Sequence, residues 1–167
     1  MQRILVIGCP GSGKSTFSRA LRDITGLPLY YLDMLNHKPD KTTFSRQEFD
    51  EKLQHILEQK SWIIDGNYAR TMPKRLAYCD TVFWLDYPTE VCLKGVASRM
   101  GLPREDMPWI ETEQDEEFLD FVRSFNTEKR PEMEQLLQRT KDKEIIVFHT
   151  REEASDFLKK TADIFTS

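Results

Sequence analysis

The chain is poor in cysteine, has no surplus of positive charge and contains no long apolar run. Its three cysteines, Cys9, Cys79 and Cys92, match no metal-ligand spacing, and an odd number argues against a disulfide framework. Both absences point to a reducing compartment. The formal net charge is −4, the isoelectric point is near 5.5, and no basic stripe is present. Nothing electrostatic therefore favours nucleic acid as a partner. No apolar run approaches the roughly 18 residues that a membrane span requires. The first strand-like run begins near residue 3, which leaves no room for a leader. A cytoplasmic protein with no membrane partner is expected. Internal repeats and low-complexity tracts are also missing.

What remains is an ordinary globular composition. The 167 residues fit one domain, large enough to bury roughly 70% of its unfolded surface. Five short apolar runs, at 4–7, 29–32, 62–64, 81–85 and 145–148, alternate with helical patterns. Each run is unbroken, as in parallel strands covered on both faces, and the alternation implies βαβ crossovers. The expected fold is a single α/β domain over 1–167, three-layered and doubly wound around a five-stranded parallel sheet.

Helix signals fill the intervals. Ser45 with Glu48 reads as a capping box, and Phe44 with Phe49 as a hydrophobic staple. Phe49, Leu53, Ile56 and Leu57 then share a face. Pro88 opens a helix that runs to about Met100. Phe118, Phe121, Val122 and Phe125 predict a core-facing stripe, as do Ala154, Phe157, Leu158 and Phe165. The acidic cluster at 111–117 reads as a solvated loop and helix start. Residues 99–115 carry Gly101, Pro103 and Pro108 in a mixed charge pattern without periodicity. They read as a mobile insertion, part of a lid spanning about 99–130.

Directly after the first run stands Gly8-Cys9-Pro10-Gly11-Ser12-Gly13-Lys14-Ser15, a full G-x-x-x-x-G-K-[ST] phosphate-binding loop between a strand and a helix start. The glycines turn backbone N–H groups inward to form an anion nest, and the helix adds its positive end. Gly8, Gly11, Ser12, Gly13, Lys14, Ser15 and Thr16 form the expected nucleotide-binding set. Lys14 would reach the β- and γ-phosphates of ATP, and Ser15 would meet Mg²⁺. Cys9 reads most simply as a small residue in a tight turn.

Ligands of open α/β sheets sit beyond the carboxyl ends of the strands, where Asp33, Asp65, Asp86 and His149 end successive runs. Asp65, followed by Gly66, has the form of a metal or substrate carboxylate. Asp33 is the candidate for holding or deprotonating an acceptor group. Asp86 precedes Tyr87-Pro88 and reads as part of a helix cap. Guanidinium forks meet charge on a transferred phosphoryl group. Arg99 and Arg104 flank the irregular stretch, Arg123 and Arg130 lie two helical turns apart, and Arg70 and Arg75 follow the Asp65 turn. Asp33, Arg46, Arg70 and Trp62 constrain an acceptor pocket.

With these segments in hand, the chain resembles the adenylate-kinase-like P-loop kinases over nearly its whole length. Trp62-Ile63-Ile64-Asp65-Gly66-Asn67-Tyr68-Ala69-Arg70-Thr71 is similar to the hhhDGxPRT segment of nucleoside monophosphate kinases. Leu85-Asp86-Tyr87-Pro88-Thr89-Glu90 is similar to their hhLxxPxE segment. Tyr31-Leu32-Asp33 and the stretches 62–68 and 83–88 resemble, more narrowly, a bacterial group called DNA topology modulation proteins or adenylate-kinase-related proteins. The turn before Arg70 has one extra residue, Tyr68-Ala69 replaces Phe-Pro, and Gly95 stands where many relatives carry an arginine four residues before Arg99.

Together, the motifs and this resemblance lead to an ATP- and Mg²⁺-dependent phosphotransferase acting on a small acceptor, such as a nucleotide or nucleoside. The expected catalytic set is Lys14, Asp33, Arg99, Arg104 and Arg123. Asp33, Asp65 and Arg70 are expected at the substrate, and Ser15 and Asp65 at the metal. The alternative implied by the narrower resemblance is a nucleotide-binding regulator linked to DNA topology. A switch GTPase would need an Asn-Lys-x-Asp segment, and a motor ATPase a glutamate after Asp65. The sequence has neither.

Overall fold

The computed structural model describes residues 1–167. Its strands are β1 (Arg3–Gly8), β2 (Leu29–Tyr31), β3 (Trp62–Asp65), β4 (Thr81–Leu85) and β5 (Glu144–Phe148). They form one five-stranded parallel sheet in the order β2-β3-β1-β4-β5. The helices are α1 (Lys14–Thr25), α2 (Leu32–Asn36), α3 (Arg46–Leu57), α4 (Met72–Tyr78), α5 (Thr89–Arg99), α6 (Glu116–Glu128), α7 (Arg130–Arg139) and α8 (Arg151–Thr166). A 3-10 turn, Ala69–Thr71, leads into α4.

β1 is the central strand, and Ile4, Leu5, Val6 and Ile7 are fully buried. Between β1 and β2 the chain moves to one side of the sheet, and between β3 and β4 it crosses to the other. The carboxyl end of β1 is thus the point where the winding changes side, which opens a crevice there. Register aligns the neighbours: Val6 lies beside Asp65 and Gly8 beside Leu85. The loop after β1 and the side chain ending β3 therefore emerge together.

The capping box at Ser45 forms, with Ser45 Oγ accepting from the Glu48 N–H at 3.1 Å and Glu48 Oε1 accepting from the Ser45 N–H at 3.3 Å. Phe49, Leu53, Ile56 and Leu57 are all buried. Two aromatic stripes fall differently from the expectation. On α6 the buried residues are Leu119, Val122 and Phe125, while Phe121 is exposed and Phe118 is half-buried. Leu119 completes the i, i+3, i+6 face and rotates Phe121 outward. On α8 Ala154 is buried but Phe165 is exposed, because the helix outruns the sheet it covers. The β5 residues Ile145, Ile146 and Val147 are only half-buried, since an edge strand lacks a neighbour on one side. Residues 100–115 form no helix or strand, and α6 begins beyond them with Asp115 Oδ1 accepting from the Glu117 N–H at 3.0 Å. No helix is long and apolar enough to cross a membrane.

Candidate functional site

Residues 9–13 turn sharply between β1 and α1. Gly13 sits at φ 95°, in the left-handed region that glycine occupies without cost, and no side chain caps α1 behind it. The Phe17 N–H is the first to find its helical acceptor, Gly13 O, at 2.9 Å. The N–H groups of Lys14, Ser15 and Thr16 therefore have no acceptor within the helix, and they face the mouth of the crevice. Such an open terminus behind a glycine turn is an anion site. Lys14 Nζ folds back over the loop, donating to Gly8 O at 2.9 Å and Cys9 O at 3.3 Å. Burial pulls its pKa below the ordinary lysine value, and the Asp65 charge opposes that shift.

Contacts distant in sequence hold the loop. Asn67 grips Gly8 twice: Oδ1 accepts from the Gly8 N–H at 3.0 Å, and Nδ2 donates to Gly8 O at 2.7 Å. Arg151, the first residue of α8, donates to Ser12 O and Gly11 O, each at 3.1 Å. On the third side α5 packs so closely that a Cβ on Gly95 would overlap the Gly11 carbonyl, and one on Gly11 would overlap the Cys92 carbonyl. A side chain at position 95 would displace the Gly11 carbonyl, so an arginine in that place would not fit this packing.

Asp65 is buried, and its Oδ2 has no hydrogen-bond partner. Burial pushes its pKa up to about 6 against the pull of the Lys14 charge and the Ser15 hydroxyl. Asp106, in the irregular segment, is equally buried and also lies against the Ser15 hydroxyl. Burial would raise its pKa, but Arg104 prevails and holds the carboxyl below its ordinary value, with Nη2 at 2.7 Å and Nε at 3.1 Å. Arg104 Nη1 also donates to Glu111 at 3.1 Å. Arg99 is half-buried with an unpartnered Nε, 4.0 Å from Glu111. Burial and the neighbouring Arg104 pull its pKa down.

Opposite the loop, Asp33 opens α2 and its Oδ1 accepts from the Tyr68 hydroxyl at 2.6 Å. His37 Nε2 stands 3.9 Å from the same oxygen. Tyr68 occupies the left-handed region at φ 40°, a strained conformation for a residue with a side chain. It is fixed there by stacking on Phe49, ring centroids 5.4 Å apart, and by Arg75. Arg75 is fully buried and donates to Gly66 O and Tyr68 O, both at 3.0 Å, to Thr71 Oγ1 at 3.2 Å and to Asn67 O. Burial lowers its pKa to about 9. It organises the turn after β3 and offers nothing to a ligand.

Gly11, Gly13, Lys14, Ser15, Thr16, Asp33, Asp65, Arg99 and Arg104 all line one cleft of about 1630 Å³. Gly8 and Ser12 are buried behind the loop. Two expected site residues lie outside the cleft, and the expectation is corrected. Arg70 points outward from the 3-10 turn and grips Asp50 of α3 through both terminal nitrogens, at 2.7 and 3.1 Å. Arg123 is on the solvent side of α6, one position past buried Val122, and pairs with Asp120 at 2.6 Å. The expected acceptor-pocket pair Arg46 and Trp62 is also elsewhere: Arg46 is exposed and Trp62 is fully buried in β3. Arg130 grips Asp86 at 2.8 and 2.9 Å, with His149 3.7 Å from the same carboxylate, and none of the three lines the cleft. Asn67, Asp106 and Arg151 were not singled out from sequence. Asn67, two residues past Asp65 at a strand end, had a positional signal; the other two had none.

For a divalent cation the chain offers the free Asp65 oxygen and the Ser15 hydroxyl, with Asp106 alongside, and no cluster of three ligating His, Cys, Asp or Glu. That sparse oxygen set suits Mg²⁺, which keeps several waters and takes further oxygens from phosphates.

The fold is that of a P-loop NTPase: a five-stranded parallel sheet between helical layers, with its glycine loop at the switch point. Among solved structures of this fold, the chain is similar to a shikimate kinase from Acinetobacter baumannii in complex with shikimate (16% identity, 99% of this chain and 93% of that one, TM-score 0.62). It is similar to a shikimate kinase from Bacteroides thetaiotaomicron (14%, 99% and 99%, 0.61) and an unliganded sugar kinase from Janibacter sp. (17%, 98% and 93%, 0.53). At such identities the likeness is one of fold. No protein-family model matches the chain, and no curated protein does.

Proposed function

We propose that the chain is an ATP-dependent phosphotransferase that moves the γ-phosphoryl group of ATP to a hydroxyl of a small acceptor. The observation that carries this reading is the shared cleft. The uncapped N-terminus of α1 with Lys14 opens onto the same space as the carboxylates of Asp33, in the first turn of α2, and Asp65, at the end of β3, and the guanidinium of Arg99. The kinase fold of the similar solved structures supports it.

The loop N–H groups and Lys14 would cradle the β- and γ-phosphates, and Ser15 with Asp65 would hold Mg²⁺. The ion's part when bound is to neutralise phosphate charge. Asp33, held by the Tyr68 hydroxyl, would orient the acceptor hydroxyl and take its proton as the new P–O bond forms and ADP leaves. Arg99, with its unspent donor, and Arg104, released from Asp106 and Glu111, would meet the charge on the transferred group. This is catalysis by positioning and electrostatics, with no covalent intermediate. A panel of hydroxyl compounds incubated with γ-labelled ATP tests it. Label should move to at least one acceptor and fail to move in Lys14→Ala. Equal turnover by the variant would refute the reading.

A further inference from the structure

Two buried carboxylates converge on the start of α1, and they come from different elements. Asp65 ends β3, while Asp106 belongs to the irregular segment between α5 and α6. Their exposures are 5% and 6%, so water screens neither. Both lie against the Ser15 hydroxyl, and the Asp106 charge acts on Asp65. Asp65 Oδ2 has no hydrogen-bond partner. Resting on the phosphotransferase reading, we propose that Asp106 is a metal-site residue that changes partner when the cleft fills. Its carboxylate passes from Arg104 to the divalent cation held by Ser15 and Asp65, and Arg104 is thereby freed for the phosphoryl group.

The charges of the cleft explain why. Each carboxylate is met by a cation: the Lys14 ammonium acts on Asp65, and Arg104 forks Asp106 with Nη2 at 2.7 Å and Nε at 3.1 Å. Arg99 acts on Asp106 as well. These are the cations that the phosphotransferase reading directs to the phosphates. A triphosphate that engages them draws the counter-charge away from both carboxylates. Like charges side by side in a buried site repel strongly unless a cation stands between them. A buried ion pair stripped of one partner is strongly disfavoured. A divalent cation between Asp65 and Asp106 meets both needs, and carboxylate and hydroxyl oxygens are the donors that Mg²⁺ takes.

Asp106 does not depend on Arg104 alone for its place. The preceding residue, Glu105, ties the segment to the core: its Oε2 accepts from the Tyr31 hydroxyl of β2, and from Arg22 Nη1 of α1 at 2.9 Å. Further along, the Trp109 ring meets His37 edge-on, with centroids 5.2 Å apart. Held at both points, the segment keeps Asp106 at Ser15 when Arg104 turns away.

The test is calorimetric titration of a non-hydrolysable ATP analogue, with and without Mg²⁺, into the wild-type chain, Asp106→Asn and Arg104→Gln. Mg²⁺ should tighten binding to the wild type. Asp106→Asn should lose about tenfold or more of that gain while holding the metal-free analogue at least as well. Arg104→Gln should keep the gain. Loss of the gain in both variants would mean that Asp106 only holds the segment through Arg104, and would overturn the inference. So would no gain in the wild type, or an undiminished gain in Asp106→Asn. Tighter binding by Asp106→Asn with and without metal alike would also overturn it, as the behaviour of a carboxylate that merely blocks the phosphate. A readout on the wild type needs no variant. With ¹³C at the aspartate carboxyls and Mn²⁺ in place of Mg²⁺, electron–nuclear double resonance should show two carboxylates at the ion; one or none would overturn the inference. A wild type that binds the analogue neither with nor without metal would instead refute the phosphotransferase reading, and the inference with it.

Discussion

At the scale of single residues, the buried carboxylate of Asp65 costs the fold stability. Its pKa is raised from the ordinary aspartate value of 3.8 to about 6 in the fold. The folded state thus holds the Asp65 proton more tightly than the unfolded state does. Above pH 6 the residue is ionised in both states, and its ionisation disfavours the fold by on the order of 3 kcal/mol. As pH falls from 6 towards 4 that penalty is relieved, because the fold accepts the proton first. Asp65→Asn should therefore raise the melting temperature by several degrees at pH 8. The gain should fade by pH 4, and the variant should lose Mg²⁺-dependent tightening of nucleotide binding. A melting temperature at pH 8 unchanged or lowered by the substitution would contradict this. Arg75 acts in the opposite sense. Arg75→Ala strands the carbonyls of Gly66, Asn67 and Tyr68 and should cost about 3 kcal/mol or more in denaturant melts, with no rescue by Arg75→Lys, whose ammonium lacks the fork. The apolar runs before them single out Asp33 and Asp65 in the sequence, and both line the cleft, Asp65 at the end of β3 and Asp33 in the first turn of α2. The partners of the loop were not legible there: Arg151 lies 139 residues from Ser12, and nothing local marks it. A motif reports residue type only, and nothing local in the sequence shows that Arg70 pairs with Asp50 of α3.

At the scale of elements, the seat of α5 against the phosphate loop is the tightest contact around the site. Gly95→Ala places a methyl into the Gly11 carbonyl, so loop or helix must shift. The expected cost is about 1–3 kcal/mol of stability, with at least tenfold weaker nucleotide binding by calorimetry. Full retention of both would show that the loop tolerates displacement. The irregular segment 100–115 brings Arg104 and Asp106 into the cleft while carrying no helix or strand of its own. Limited proteolysis should cut there first, and Mg²⁺ with a non-hydrolysable ATP analogue should slow that cleavage several-fold. Helix starts were readable because caps are local, as at Ser45. On α6 Val122 and Phe125 face inward as their spacing predicts, but Leu119 rather than Phe121 completes the buried face.

At the scale of the whole molecule, apolar runs identified all five strands but said nothing of their order. The order β2-β3-β1-β4-β5 is set by which crossovers pack their helices, and it brings β1 and β3 side by side. Only that adjacency puts Asp65 beside the loop that begins at Gly8. On the proposed reading the loop would hold the phosphate donor, and the strand order brings the Asp65 carboxylate beside it. The most direct measurement is ³¹P NMR of ATP and Mg²⁺ with the protein and the acceptor that binds best. A phosphomonoester signal should grow in step with ADP in the wild type and be absent with Lys14→Ala. ATP left intact, or converted only to ADP and free phosphate at the same rate by both proteins, would contradict phosphoryl transfer from this cleft.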